Sequence, residues 1–382
     1  MQRPYRTALL TALIAGSTAF GLSACKAGYS LGGGDEGEFD GVGGDSNTRA
    51  YFGPGSHWEL IIDDEDNSFT LNRSDDPTTE ATVKLSGAVF ELDNGFTRLS
   101  VDVTNGDDGG NFNEEDEIAM ISISDDMVVL APPSADEDQL LVLVSADTCP
   151  SSNIRGNWIT YKLNGNDSPS RSGNAFFGDY QYSTSSYTGF SNNQFNLLDS
   201  YDFVDGETFT GAACGKGLSI GDNHHQYLGS GNAAVVHSLD TADGNNYDFR
   251  VVFEAREITN RPDLAGSYAG LLYNGGKGEG SKTKVIDMEC DTAGLCAITA
   301  LADFVADTDS ETTYEIELDG TPDGVADGFI TGTISTESET STPNIACMAN
   351  IDIHEQGGKF LACVGQSPDA TTQIFNIFAV SR

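Results

Sequence analysis

The chain has 382 residues, of which 59 are Asp or Glu and 19 are Lys or Arg, so its formal net charge is −40. A surface of this charge repels nucleic acid and anionic lipid head groups and attracts cations, which excludes nucleic acid as a partner. Two explanations of the acidity remain open: the protein binds cations, or its charges are solvated as an adaptation to a saline habitat.

The first 24 residues have the pattern of a signal peptide. Arg3 and Arg6 supply a positive end, and the apolar run TALLTALIAGSTAFGL is too short to span a bilayer. The motif LSAC, residues 22–25, resembles the lipobox of bacterial lipoproteins, the alternative being an ordinary secretory signal with an incidental cysteine. The resemblance implies cleavage before Cys25 and attachment of diacylglycerol and palmitate there, which anchors the chain to a membrane. Lys26 stands where inner-membrane members carry Asp, which implies the outer membrane.

Six cysteines remain after Cys25, an even number that predicts three disulfides in an oxidising compartment. Six cysteines allow 15 pairings, so the connectivity stays open. Closeness in sequence favours Cys290–Cys296 and Cys347–Cys363, which leaves Cys149–Cys214.

Residues 25–50 are predicted to form a lipid-anchored tether rich in Gly and Asp. The segment from 26 onward has no apolar period, so we expect a flexible coil. Its root-mean-square reach is roughly 25 to 30 Å, enough to hold a folded body away from a lipid surface.

From residue 51 onward the apolar residues alternate with polar ones, which is the pattern of half-buried strands. In TRLSVDVT the apolar set is Leu99, Val101 and Val103, and in YEIELD it is Tyr314, Ile316 and Leu318. Turn sequences such as LDNGF and TADGNN separate the strands. The fold class predicted is therefore all-β, as small antiparallel barrels or sandwiches in tandem.

A weak repeat predicts three units, with bounds 51–148, 149–260 and 261–382. Trp58, Trp158 and Tyr268 each follow a proline and a glycine and each precede a strand, and each unit ends in two apolar strands around a polar loop. The alternative is that aromatic strand starts recur in any β protein. The glycine before a first-strand Trp resembles lipocalin-like barrels, and this resemblance favours barrels over sandwiches.

The loop LDGTPDGVADGF has the spacing of a calcium-binding loop. Its oxygen ligands would come from Asp319, Thr321, Asp323, the Val325 carbonyl and Asp327, in a pattern that resembles EF-hand-like and thrombospondin-type acidic loops. It departs from them at Ile330, where a bidentate Glu is expected, and no helices flank it. A solvated Asp-Gly turn is the alternative.

An aromatic stretch between residues 174 and 203 is the candidate binding surface. Mixtures of Tyr, Ser and Asn suit recognition, because the rings give contact area and the small polar groups adapt to hydrogen bonds. The residues singled out are Tyr180, Tyr182, Tyr187 and Phe190. The same residue types also occur in half-buried barrel strands, which is the alternative.

Two catalytic or metal-binding patterns are weaker. Gly217 to Gly221 matches a nucleophile elbow around Ser219, but the following residues do not form the helix that such an elbow needs. His237 with either His224 or His225 would offer imidazole ligands to zinc or copper, since adjacent strand residues point to opposite faces.

These patterns predict a lipid-anchored envelope protein that binds or adheres to a partner without catalysis and is stabilised by calcium. The candidate partners are an extracellular glycan, the cell wall or a protein. The alternatives are a hydrolase acting on glycan or ester outside the cytoplasm, and a purely structural envelope component.

Overall fold

A computed structural model describes two barrels with their side chains and the sheet between them as backbone only. The fully described ranges are 47–53, 58–73, 83–106, 115–125, 127–131, 140–145, 261–274, 283–321, 328–336, 342–350, 358–366 and 374–382, apart from the side chains of residues 83, 105, 106, 311, 336, 366 and 374; the backbone-only strands lie within 154–254. The predicted signal peptide, Cys25 and the tether as far as residue 46 lie outside the described residues. In the part of the chain that is described, no helix is long and apolar enough to cross a membrane.

The N-terminal barrel is a closed antiparallel sheet of eight strands in chain order. The strands are β1 (Thr48–Phe52), β2 (Trp58–Asp63), β3 (Ser68–Arg73), β4 (Val83–Glu91), β5 (Thr97–Gly106), β6 (Glu117–Ser124), β7 (Met127–Ala131) and β8 (Leu141–Val144). Strand β1 pairs with β2 along its whole length, and Phe52 opposite Val144 closes the barrel between β1 and β8.

The middle sheet is antiparallel, and the described strands run in the order β12-β11-β10-β9-β16-β15-β14, with β13 also beside β11. Its strands are β9 (Ile154–Leu163), β10 (Asn174–Tyr182), β11 (Ser186–Phe195), β12 (Phe203–Asp205), β13 (Thr208–Ala212), β14 (His224–Gly229), β15 (Ala233–Asp240) and β16 (Asn246–Glu254).

The C-terminal barrel is a second closed antiparallel sheet of eight strands, preceded by a short 3₁₀ helix, Arg261–Leu264. Its strands are β17 (Gly266–Asn274), β18 (Thr283–Cys290), β19 (Leu295–Asp303), β20 (Thr308–Gly320), β21 (Phe329–Thr336), β22 (Asn344–Asn350), β23 (Phe360–Gln366) and β24 (Ile374–Ser381). Strands β17 and β24 close it along Tyr268–Asn274.

The all-β prediction is confirmed, and closed barrels flank the middle sheet. The predicted interior positions of β20 are also correct, because Tyr314, Ile316 and Leu318 are all buried. The prediction for β5 is wrong at Val103, which is 42% exposed. A β-bulge shifts the register between Ser86 and Gly87, and the extra residue turns Val103 to the outer face.

Both barrel interiors are filled by apolar side chains. In the N-terminal barrel Trp58, Leu60 and Leu71 belong to one buried cluster, and in the C-terminal barrel Tyr268, Ile298 and similar residues form another. Trp58 is 6% exposed and Tyr268 1%. The aromatic residues that mark the predicted repeat therefore fill the interiors in the two units whose side chains are described.

A third buried cluster, the inter-barrel core, joins the outer surfaces of the two barrels. Along β7, Val128 belongs to the barrel interior while Met127 and Val129 belong to the inter-barrel core. The C-terminal barrel contributes residues such as Leu271 and Phe378 to the same core. The two barrels therefore bury apolar surface against each other. The bounds predicted for three separate domains stay a prediction.

Two of the three predicted disulfides are present. Cys290 is bonded to Cys296, directly opposite on β18 and β19, and Cys347 is bonded to Cys363, directly opposite on β22 and β23. Each bond therefore joins neighbouring strands of the C-terminal barrel. Cys149 and Cys214 lie outside the described residues.

Two glycines allow neighbouring strands to approach at bulges. A Cβ atom on Gly87 would lie 1.8 Å from the Ser100 carbonyl oxygen, and one on Gly332 would lie 2.2 Å from that of Glu317. Register shifts occur beside both positions. Only glycine fits such an approach, because any larger residue would overlap the neighbouring backbone.

Candidate binding surface

Apolar side chains fill the interiors of the two described barrels, so their candidate binding surfaces lie on the outside. A barrel that takes a small ligand needs an open cavity lined by a few convergent polar groups. The described interior positions instead carry Leu, Ile, Tyr and Trp in mutual contact, at most a few per cent exposed. In the two described barrels, the outer faces and the loops are therefore the surfaces on which a partner can be met.

The outer surface of the C-terminal barrel is divided into a covered half and an open half. On β17 and β22 to β24 the outward side chains are buried in the inter-barrel core, for example Ala346, Ala362 and Phe378. On β19 and β20 the outward side chains are exposed, including Leu295 at 39%. We call the open half, formed by β18, β19 and β20, the acidic face.

The register of the three strands fixes which side chains are neighbours on the acidic face. Glu289 on β18 lies opposite Ala297 on β19, which in turn lies opposite Glu315 on β20. In the next row Leu295 lies opposite Glu317. A central strip of small or apolar residues on β19 is therefore flanked on both sides by glutamates.

The glutamates of the acidic face differ from several acids of the N-terminal barrel in having no partner among the described residues. In the N-terminal barrel Glu59 accepts a hydrogen bond from Asn72, and Glu117 pairs with Arg98. For Glu289, Glu315 and Glu317, all exposed, the described part of the chain supplies neither a hydrogen bond nor an ion pair to the side chain. Within the described residues these three carboxylates are therefore exposed to solvent without an ion-pair partner.

Asp287, two residues before Glu289 on β18, lies where the acidic face borders the contact between the two barrels. Burial raises the pKa of the Asp287 carboxyl above its ordinary value. The ion pair and hydrogen bond with Arg382 act to lower this pKa, and the negative charges of Asp307 and Asp309 act to raise it further. Arg382 also lies over the ring of Phe96 in the N-terminal barrel, 6.0 Å from its centroid. Arg382 therefore links Asp287 of β18 to the Phe96 ring of the N-terminal barrel.

The predicted calcium loop is only partly described. Asp319 is exposed at the end of β20, and Thr321 follows it beside a surface pocket whose lining includes Arg261 and Thr292. The Thr321 hydroxyl oxygen is buried and has no hydrogen-bond partner among the described residues. The other predicted ligands, Asp323, Val325 and Asp327, lie outside the described residues. No group of three metal-binding side chains occurs within the described ranges.

The predicted aromatic surface falls on the β10–β11 hairpin of the middle sheet. Its register sets Tyr182 opposite Tyr187 and Tyr180 opposite Gly189, so these three tyrosine positions share one face of the sheet. Phe190 lies opposite Asp179 and so occupies a position on the other face. The hairpin thus brings three of the four predicted positions together and separates the fourth.

The register also decides between the two histidine pairings. His237 lies opposite Gln226, so it shares a sheet face with His224 and not with His225. Ser219 lies outside the described residues. The acidic face itself is absent from the sequence prediction, although the alternation of Glu315 and Glu317 with the buried residues of YEIELD carries its signal.

Comparison with solved structures finds remote similarity to β-rich proteins. The vaccine antigen transferrin-binding protein B of Haemophilus parasuis, as a Trp-176-Ala mutant, is 10% identical with a TM-score of 0.28, over 85% of this chain and 65% of that one. The isotype 1 transferrin-binding protein B of Neisseria meningitidis is 11% identical with a TM-score of 0.25 over the same shares. A DUF3598 protein of unknown function from Nostoc punctiforme is 12% identical with a TM-score of 0.23, over 61% and 96%.

The chain spans less than two thirds of the length of either transferrin-binding protein. No protein-family model matches it, and no curated protein matches it. All three TM-scores lie below 0.5, so these similarities indicate nothing about what this chain does.

Proposed function

We propose that this chain is a lipid-anchored protein of the bacterial cell envelope, held at the outer membrane, that binds a partner through its outer surface and catalyses no reaction. The observation that carries the proposal is the pairing of filled barrel interiors with an exposed acidic face whose glutamates have no ion-pair partner among the described residues. The lipobox at Cys25 and the tether after it support the anchored part of the proposal.

The anchor is tested by expressing the full chain in a Gram-negative bacterium beside the variant Cys25→Ala. We expect the wild-type protein in the outer-membrane fraction, with mass spectrometry finding diacylglycerol and an acyl chain on Cys25. We expect the variant to lose the lipid and to be recovered free of the outer-membrane fraction. Ser23→Ala, two residues away, is the matched control and keeps the lipid. A wild-type chain without lipid would overturn the anchor.

The absence of catalysis is tested separately with the purified full chain in detergent. A panel of ester and glycan substrates is incubated with wild type and with Ser219→Ala. We expect no turnover above the buffer blank with either protein. Turnover that Ser219→Ala abolishes would establish the hydrolase alternative instead.

A further inference from the structure

We propose that Asn94 is a site of spontaneous deamidation, and that its conversion to aspartate or isoaspartate turns a hydrogen bond between the two barrels into a repulsion. The inference goes beyond the proposed binding function and does not depend on it. Its basis is the dipeptide Asn94–Gly95, the turn that contains it and the groups around the Asn94 amide.

The turn between β4 and β5 requires the dipeptide that is most prone to this reaction. The Gly95 N–H donates a hydrogen bond of 3.2 Å to the Leu92 carbonyl oxygen, which closes a β-turn, and Gly95 itself has φ +86°. Three-residue hairpin loops place glycine in this left-handed conformation, because it is adopted there without steric cost. Gly95 is exposed and carries no side chain that would keep the Asn94 side chain away from its backbone nitrogen.

The reaction needs only water besides the chain itself. The backbone nitrogen of Gly95 loses its proton and attacks Cγ of Asn94, so that a new C–N bond forms. The bond from Cγ to Nδ2 breaks, and Nδ2 takes up a proton and leaves as ammonia. Water then opens the cyclic imide at either of its two carbonyl carbons, which gives aspartate or isoaspartate at this position. Nothing is oxidised or reduced.

The Asn94 amide joins the two barrels, and a carboxylate in its place would not. Its Nδ2 atom lies 2.9 Å from the Phe304 carbonyl oxygen and 3.5 Å from Oδ1 of Asp307, both in the turn between β19 and β20. A carboxylate has no proton to donate to the carbonyl oxygen, and its charge would lie beside that of Asp307. Deamidation therefore removes a favourable contact and adds an unfavourable one.

The native hydrogen bonds make the reaction depend on this contact. While the Phe304 carbonyl oxygen accepts from Nδ2 and the Leu92 carbonyl oxygen accepts from the Gly95 N–H, the two reacting groups of Asn94 and Gly95 are held by other partners. Separation of the two turns releases the Asn94 side chain and allows it to cyclise. Because the product does not restore the hydrogen bond, the contact is lost in one direction only.

The chain contains its own comparison for this chemistry. Four Asn–Gly pairs occur in the sequence, with the asparagines at positions 94, 105, 164 and 274. Asn274 is 2% exposed and lies opposite Phe375 in the ladder between β17 and β24. The extended strand and the burial hold Asn274 in place, so we expect it to keep its amide while the barrel is folded.

The test incubates the full chain in detergent at pH 8.5 and 37 °C and follows each Asn–Gly pair by peptide mass spectrometry that distinguishes isoaspartate from aspartate. We expect Asn94 to convert at least threefold faster than Asn274, with isoaspartate in the product. Phe304→Ala removes a ring from the contact and should raise the rate at Asn94 at least twofold. Phe90→Ala, on the exposed face of the same hairpin, should leave the rate unchanged. Equal rates at Asn94 and Asn274, or a product that is aspartate alone, would overturn the inference.

The effect of the product is measured separately by urea unfolding of variants. Asn94→Ala removes the amide without adding charge, and Asn94→Asp supplies the carboxylate. We expect the lower urea midpoint for Asn94→Asp, and a smaller gap between the two variants at high salt, which screens exposed charges. Adding Asp307→Asn should close the gap, with Asp307→Asn alone as the reference. Near-ultraviolet circular dichroism checks that each variant is folded. Identical midpoints for Asn94→Asp and Asn94→Ala would show that the product causes no repulsion and would refute the proposal.

Discussion

The side-chain amide of Asn94 donates a hydrogen bond of 2.9 Å to the carbonyl oxygen of Phe304, 210 residues later in the chain. Asn94 lies in the turn between β4 and β5, and Phe304 lies in the turn between β19 and β20. Phe96 packs edge-to-face on Phe304, with 6.1 Å between ring centroids. Two hairpin turns from different barrels are therefore joined by a polar and an aromatic contact beside the inter-barrel core.

Phe96→Ala is expected to lower the free energy of unfolding by about 3 to 5 kcal/mol. The side chain of Phe96 is fully buried, so its removal leaves a cavity as well as losing apolar burial. Urea unfolding followed by intrinsic fluorescence measures the change. Phe90→Ala is the control, because Phe90 is 42% exposed and has Arg98 over its ring, which predicts a loss below about 1 kcal/mol.

Pairing between Phe96 and Phe304 is expected to appear as a coupling energy of about 0.5 to 1.5 kcal/mol in a double-mutant cycle with Phe304→Ala. A coupling near zero would mean that the two rings stabilise their own barrels independently. In that case the hairpin contact would not help to hold the barrels together.

Gly332→Ala is expected to destabilise the C-terminal barrel strongly, by more than about 3 kcal/mol, or to prevent folding. The added methyl group would lie 2.2 Å from the Glu317 carbonyl oxygen, so β20 and β21 would have to separate at their bulge. Gly365→Ala is the graded comparison, since its Cβ would lie 3.1 Å from the Asn344 carbonyl oxygen and needs a smaller adjustment. Equal unfolding midpoints for the two variants would contradict this account.

Tyr268→Phe is expected to lower the free energy of unfolding by about 0.5 to 1.5 kcal/mol at pH 7, and by less at high pH. The Tyr268 hydroxyl donates a 2.6 Å hydrogen bond to the Leu264 carbonyl oxygen, which the variant lacks. Burial raises the pKa of Tyr268 well above its ordinary value of 10, so the folded protein holds this proton more tightly than the unfolded chain. The stability linked to the proton is present below pH 10 and is lost as the pH rises towards the raised pKa.

Urea unfolding at pH 7, 9, 10.5 and 11 measures the free energy of unfolding of wild type and of Tyr268→Phe. We expect the difference between the two proteins to become smaller as the pH rises. Ile286→Val is the control, because it removes one buried methylene and no titrating group, so its difference from wild type should stay constant over the series. A Tyr268→Phe difference that also stays constant would show that the phenol does not ionise on unfolding in this range.

Calcium binding by the loop that starts at Asp319 stays a prediction. If the loop binds calcium in the folded state only, stability rises by about 1.4 kcal/mol at a calcium concentration ten times Kd. Thermal unfolding in millimolar calcium and in chelator, at matched ionic strength, measures the increase. We expect Asp327→Asn to remove the increase and Asp93→Asn to leave it. An unchanged melting temperature in wild type would exclude the site.

Where every second residue is apolar, the sequence predicts both the strand and the residues that it buries, because only one face of the strand is buried. Tyr314, Ile316 and Leu318 are predicted correctly for this reason, and cysteine spacing predicts the two disulfides of the C-terminal barrel. A bulge defeats the same reasoning at Val103, since the extra residue changes the face without changing the local pattern. A continuous apolar run such as β7 does not reveal that three of its five residues belong to the inter-barrel core.

The acidic face is harder to predict because it depends on which strands become neighbours. Glu289 and Glu315 are 26 positions apart, and only the pairing of both strands with β19 sets them on either side of Ala297. Each glutamate alone is an ordinary exposed strand residue. A composition of 59 acids also hides a local arrangement of three.

The two barrels are closed differently, and this difference bears on mechanical load. Strands β17 and β24 pair along Tyr268–Asn274. Among the described residues, β1 pairs with β8 only at Phe52 opposite Val144. Any pull delivered through the residues before Thr48 acts on β1, which is held by its ladder with β2, by the Arg49–Asp64 ion pair and by the hydrogen bond that the Tyr51 hydroxyl donates to the Asp125 carbonyl oxygen. Because β1 shares one residue pair with β8 among the described residues and β17 shares seven with β24, we expect β1 to separate under tension before β17 does.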